Sequence, residues 1–86
     1  MQNSIQIILD EMKTGEQRDS HEIINELETR FTDAFNDFFP SRSTNIKNSL
    51  ITRLIIGNIS RVKRVGNKKS LNTHGKLTNN AVWEKI

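Results

Sequence analysis

Asn45, Asn48, Ser49 and Thr52 follow one another at helical spacing, with Arg42 and Arg53 at the margins of the same face. A side-chain amide both donates and accepts hydrogen bonds, a hydroxyl does the same, and a guanidinium donates from a planar fork. Set on one helix face, these groups match the chemistry of base-pair edges in a major groove. Asn bonds adenine on two atoms and Arg bonds guanine, each pair contributing about 1–3 kcal/mol of discrimination. The competing reading is an ordinary solvated helix face. Such faces favour Glu and Lys over Asn, Ser and Thr, which are poorer helix formers. Residues 41–83 contain no carboxylate at all, so nothing on this face repels an anion.

A second group, Arg61, Lys63, Arg64, Lys68, Lys69 and Lys76, has the chemistry of phosphate contact, which positions a protein without reading sequence. If residues 59–65 are extended, Arg61 and Lys63 share one face and Arg64 lies on the other. Lys47 falls within an apolar arc and reads as a stem laid over the core. A lone His74 in a polar stretch reads as solvated.

The charge is divided along the chain. Residues 1–40 carry nine acidic side chains against three basic ones, net −6, and residues 41–86 carry ten basic ones against Glu84, net +9, which together give the formal +3. A half-chain at +9 attracts a polyanion, and nucleic acid is the commonest large one. The acidic half is then expected to face away from it. In the alternative, the two halves pack together and neutralise each other.

Little points to catalysis, and the chain is read as not an enzyme. His21 lies beside Glu22 and near Asp19, but adjacent helical residues do not converge on one ion, so His21 reads as a surface residue and no metal or cofactor is expected. Gly15, Gly57, Gly66 and Gly75 stand singly and form no phosphate loop. There is no cysteine, hence no disulfide and no thiolate metal site. The apolar run at residues 5–9 is too short for a membrane span and lacks the basic start of a leader peptide, so a soluble, cytoplasmic protein is expected.

The elements that must position these residues follow from apolar spacing. Ile5, Ile8, Leu9 and Met12 form an i, i+3, i+4, i+7 stripe after Ser4, predicting a helix over 4–13 closed by Gly15. Asp19 and Glu22 have capping-box spacing. Beyond them Ile23, Leu27, Phe31, Ala34 and Phe38 predict one helix of roughly 17–19 residues, kinked near Thr32 and ended by Pro40. Ile46, Leu50, Ile51, Leu54 and Ile55 predict a third helix closed by Gly57. Residues 59–65 are β-branched and basic and predict a strand. Residues 66–80 are rich in Gly, Asn and Lys and predict a long loop, and 81–86 a returning strand. Trp83, the single tryptophan, is read as core, as are Phe31, Phe35, Phe38 and Phe39, with part of the Phe38-Phe39 pair left for a partner or a dimer.

Three helices followed by strand, basic loop and strand is the order of a winged helix-turn-helix. Through SRSTNIKNSLITRLI, SRVKRVG and NNAVWEKI, residues 41–86 resemble the C-terminal part of small bacterial winged-helix domains, including the DNA-reading modules of some restriction endonucleases. The fold class this implies is α+β, a single domain over 1–86. Its parts are an acidic helical half (1–40), a recognition helix (41–58) and a basic β-hairpin with a long wing (59–86). The resemblance implies double-stranded DNA as partner and a small transcriptional regulator or accessory factor as function. Two other readings stand beside it. One is a small phage or mobile-element protein that binds a host protein through its acidic helices or Phe38-Phe39. The other is RNA binding through the wing, although the aromatic sheet motifs of single-strand recognition are missing.

Overall fold

The computed structural model of the chain describes residues 1–38, 52–57, 60–72 and 75–86. The elements are α1 (Gln2–Glu11), β1 (Gln17–Asp19), α2 (Ser20–Arg30), α3 (Thr32–Phe38), β2 (Val62–Leu71) and β3 (Leu77–Lys85). Residues 52–56 are also helical and end at Gly57. The strands form one antiparallel sheet in the order β1-β3-β2. The architecture is α+β: several helices and a three-stranded antiparallel sheet built on a hairpin.

The α1 stripe is buried as its spacing predicts, with Ile5, Ile8, Leu9 and Met12 packed against Ile23, Ile24 and Leu27 of α2. Phe35, Ile55, Val62, Ala81 and Trp83 belong to the same core. Trp83 is 1% exposed, and its indole N–H donates to Ser20 Oγ at 3.0 Å. Burial of an aromatic side chain this large supplies much of the apolar stabilisation of so small a core. Helix α1 starts two residues earlier than its pattern suggests, and Gly15 sits beyond its end, in the turn to β1. There it takes φ +85° and donates its N–H to Lys85 O at 2.9 Å. Lys85 returns the tie, its ammonium bonding Leu9 O near the helix C-terminus at 2.8 Å, where a cation suits the helix dipole.

Helix α2 opens on a complete capping box. Asp19 Oδ1 accepts the Glu22 N–H at 2.8 Å, and Glu22 Oε1 accepts the Asp19 N–H at 3.3 Å. The expected long helix is interrupted at Phe31, which leaves the helical region at φ −126°, ψ 50°. The hydroxyl of Thr32 donates to Glu28 O at 2.7 Å, a bond back to the preceding turn of the kind that bends helices. The break rotates the two halves, so Phe35 is buried as expected, while Ala34 of the predicted stripe is exposed and Phe38, read as core with part of its pair left for a partner, is also exposed.

Two further expectations are corrected. Strand β1 has no counterpart in the pattern of the sequence. The long loop expected over 66–80 is instead mostly sheet, since β2 runs to Leu71 and β3 starts at Leu77. Polar cross-strand bonds replace strand propensity here. Asn80 Nδ2 donates to Lys68 O at 3.0 Å and to Ser70 Oγ at 3.2 Å.

Candidate functional site

The long hairpin has two faces with different chemistry. Cross-strand partners lie on the same face of a sheet and successive residues on opposite faces. Trp83 pairs with Arg64, Ala81 with Asn67, Asn79 with Lys69 and Leu77 with Leu71, so these eight share the face that holds the core. Glu84 pairs with Lys63, Val82 with Gly66, Asn80 with Lys68 and Thr78 with Ser70 on the other. A bulge between Arg64 and Gly66 shifts the register and brings Lys69, rather than Lys68, onto the face of Arg64.

On the first face a groove of about 410 Å³ opens between the helical segment 52–56 and the hairpin. Ser20, Thr52, Arg53, Arg64, Asn79 and Ala81 line it, joined by Asn80 of the second face, and among the described residues no carboxylate does. Arg64 is held by a hydrogen bond from Nη2 to Asn67 Oδ1 at 2.6 Å. Among the described residues Arg53, Arg64, Lys69 and Lys76 form no ion pair. The groove therefore offers amide, hydroxyl and guanidinium groups in a positive setting.

The second face is neutralised. Lys63 Nζ lies 3.4 Å from Glu84 Oε2, and Gln17 Nε2 donates to Glu84 Oε1 at 2.9 Å. The Gln17 bond, reinforced by Lys63, holds the Glu84 carboxyl below the usual carboxylate range. Lys68 Nζ lies 3.3 Å from Glu22 Oε1 and 3.6 Å from Asp19 Oδ2, and these carboxylates raise its ammonium above the ordinary lysine value. Asp19 is fully buried and its Oδ2 has no hydrogen-bond partner among the described residues, so Lys68 is its countercharge. Arg61, beside the sheet, pairs through Nε with Asp10 Oδ1 at 2.9 Å.

His21 anchors this second face. Its exposure is 2%, against the expectation of a surface residue. Its backbone N–H donates to Asn80 Oδ1 at 3.0 Å, and its ring nitrogens face Ser70 Oγ at 2.9 Å and Thr78 Oγ1 at 3.4 Å. The far half of the hairpin is thereby tied to the start of α2.

Of the residues singled out in the sequence, Thr52, Arg53 and Arg64 come together at the groove, Lys69 shares the hairpin face of Arg64, and Lys76 is exposed in the turn. Arg61, Lys63 and Lys68 are engaged by carboxylates, so the acidic half does not simply face away from the basic one. Lys63 and Arg64 lie on opposite faces, as alternation requires. Arg42, Asn45, Asn48 and Ser49 lie outside the described residues, as do Phe39, Lys47 and His74. Sequence reasoning misses Ser20, Asn79 and Asn80. The only signal for the asparagines is an Asn-Asn pair, which reads as loop.

Among the described residues, no three His, Cys, Asp or Glu side chains could hold a metal ion, and no helix is long and apolar enough to cross a membrane. Comparison with protein families, curated proteins and solved structures finds no match to this chain.

Proposed function

We propose that the chain binds duplex DNA as a winged helix-turn-helix domain, in the role of a small regulator or accessory factor. The observation that carries this reading is the groove between residues 52–56 and the hairpin. It is lined by Arg53, Arg64, Thr52 and Asn79, among the described residues without a carboxylate. The order of elements supports it: helices, a helical segment at 52–56, then a β-hairpin packed beside that segment. In this reading the helical segment at 52–56 enters the major groove, Asn79 and Thr52 approach base edges or sugars, and Arg64, Lys69 and Lys76 lie along phosphates.

Fluorescence anisotropy with random duplex across a salt series tests the proposal. Neutralising about four phosphates gives a log–log slope of about −4. Absence of binding to any duplex at low salt refutes it and moves the function to a protein partner at the exposed Phe38 end of α3.

A further inference from the structure

The hairpin ends in an apolar pair that the core does not use. Leu71 and Leu77 face each other on the last rung before the turn and are 59% and 63% exposed. Beyond them, the described residues Asn72, Gly75 and Lys76 are joined by hydrogen bonds. Asn72 N donates to Lys76 O at 2.9 Å, Gly75 N to Asn72 O at 3.0 Å, and Lys76 N to Asn72 Oδ1 at 3.1 Å, with Gly75 at φ +76°. The leucines thus stand at the end of a hydrogen-bonded ladder. Helix α2 meets the hairpin further in, through Ser20 at Trp83 on this face and through His21 at Ser70 and Thr78 on the other.

Their surroundings select the occupant. Lys69 and Lys76 flank the pair, and neither forms an ion pair among the described residues. A second copy docked tip to tip would set these lysines against their own kind. Two leucines and two lysines make only a marginal lipid anchor. A duplex meets both requirements, because the leucines lie on the same hairpin face as Arg64, Lys69 and Asn79. Ala81, at the groove, and Leu77, at the tip, are four strand residues apart, a distance of about 13 Å. Half a turn of B-DNA is about 17 Å, so a duplex whose major groove receives the helical segment brings its next minor groove to the tip. Apolar side chains inserted there part a base step and kink the duplex by about 20–90°.

We propose that Leu71 and Leu77 form an apolar wedge that enters the minor groove and bends the bound DNA. The inference rests on the duplex-binding reading above and adds a bending activity to it. The bend is easiest at pyrimidine–purine steps, which unstack most readily, so a TA or CA/TG step at the tip is favoured.

The test compares the wild type with a Leu71→Ser, Leu77→Ser double variant. The probe is a duplex of about three helical turns, dye-labelled at both ends, with 2-aminopurine at a central TA step. The wild type is expected to shorten the end-to-end distance and raise the 2-aminopurine signal. The variant, changed only at exposed positions, is expected to bind within about tenfold of the wild type and to leave the duplex straight. Wild-type binding without bending, or equal bending by the variant, overturns the wedge and leaves the duplex reading intact. Failure of both proteins to bind duplex overturns both proposals. Binding of the wild type, but not the variant, to phosphatidylserine vesicles in that case assigns the tip to lipid.

Discussion

The two faces of the hairpin receive similar side chains from the sequence and use them differently. On one, Lys63 and Lys68 meet Glu84, Glu22 and the buried Asp19. On the other, Arg64 and Lys69 meet no carboxylate among the described residues, and Arg53 stands across the groove from Arg64. Net charge along a chain is therefore not the charge that a partner meets. The bulge after Arg64 decides the outcome. In an unbroken ladder Lys68 would share the face of Arg64, and Lys69 would lie with Lys63. One inserted residue thus separates the lysine that supports the fold from the lysine left for a ligand.

Reversing the open face should have the largest effect. Arg64→Glu with Lys69→Glu should lower duplex affinity by about a hundredfold or more and reduce the salt slope by about 2, since each lost phosphate contact removes about one unit. The melting temperature should stay within a few degrees, because neither side chain is buried. Anisotropy and thermal melts on the same samples check both halves of the statement.

The paired face should answer the other way. Asp19→Ala removes the α2 cap and should cost about 1 kcal/mol in a urea titration while leaving duplex affinity nearly unchanged. Ser20→Ala takes away the hydroxyl that accepts the Trp83 indole N–H and should cost about 1–2 kcal/mol, since a buried donor is left unsatisfied. Lys68→Ala removes the countercharge of Asp19 and should reduce stability without the fall in affinity that Lys69→Ala produces. Equal affinity losses for Lys68→Ala and Lys69→Ala would erase the distinction between the faces.

The smallest expected effect is that of pH. The Glu84 carboxyl is held below 4.5 first by Gln17, and that of Glu11 first by its Arg30 hydrogen bond. A carboxyl whose folded value is depressed contributes stability above its unfolded value and loses it as pH falls through the folded one. Lys68 is raised above 10.5 by Glu22 and Asp19, so its contribution is present below 10.5 and is lost as pH rises through the raised value. The urea midpoint should therefore be level between these limits and decline outside them. The declines should be shallow and flattened by salt, because the groups are solvated. Lys68→Ala should remove part of the alkaline decline alone.

Helices are legible in the sequence where apolar residues recur, as at Ile5–Met12 and Ile23–Leu27, because helical burial writes its own period into the chain. The Asp19–Glu22 cap is legible for a similar reason, being local. The outer hairpin is not. Gly66, Asn67, Asn79 and Asn80 have low strand propensity, and the strand exists there through its ladder and its ties to His21, whose partners lie 49 and 57 residues away. Strand β1 is only three residues long, too short to show a period. That Lys69 joins the face of Arg64 follows from the bulge and not from any local pattern. Much of the expected reading face, Arg42, Asn45, Asn48 and Ser49, falls outside the described residues.

The central claim, that duplex DNA meets the open face of the hairpin and not the paired one, is tested most directly by an amide chemical-shift titration of the ¹⁵N-labelled protein with duplex at low salt. The largest changes are expected on Thr52, Arg53, Arg64, Lys69, Leu77 and Asn79, with Gln17, Lys63 and Glu84 nearly still. Changes centred instead on Gln17, Lys63 and Glu84, or spread equally over both faces of the hairpin, would contradict it.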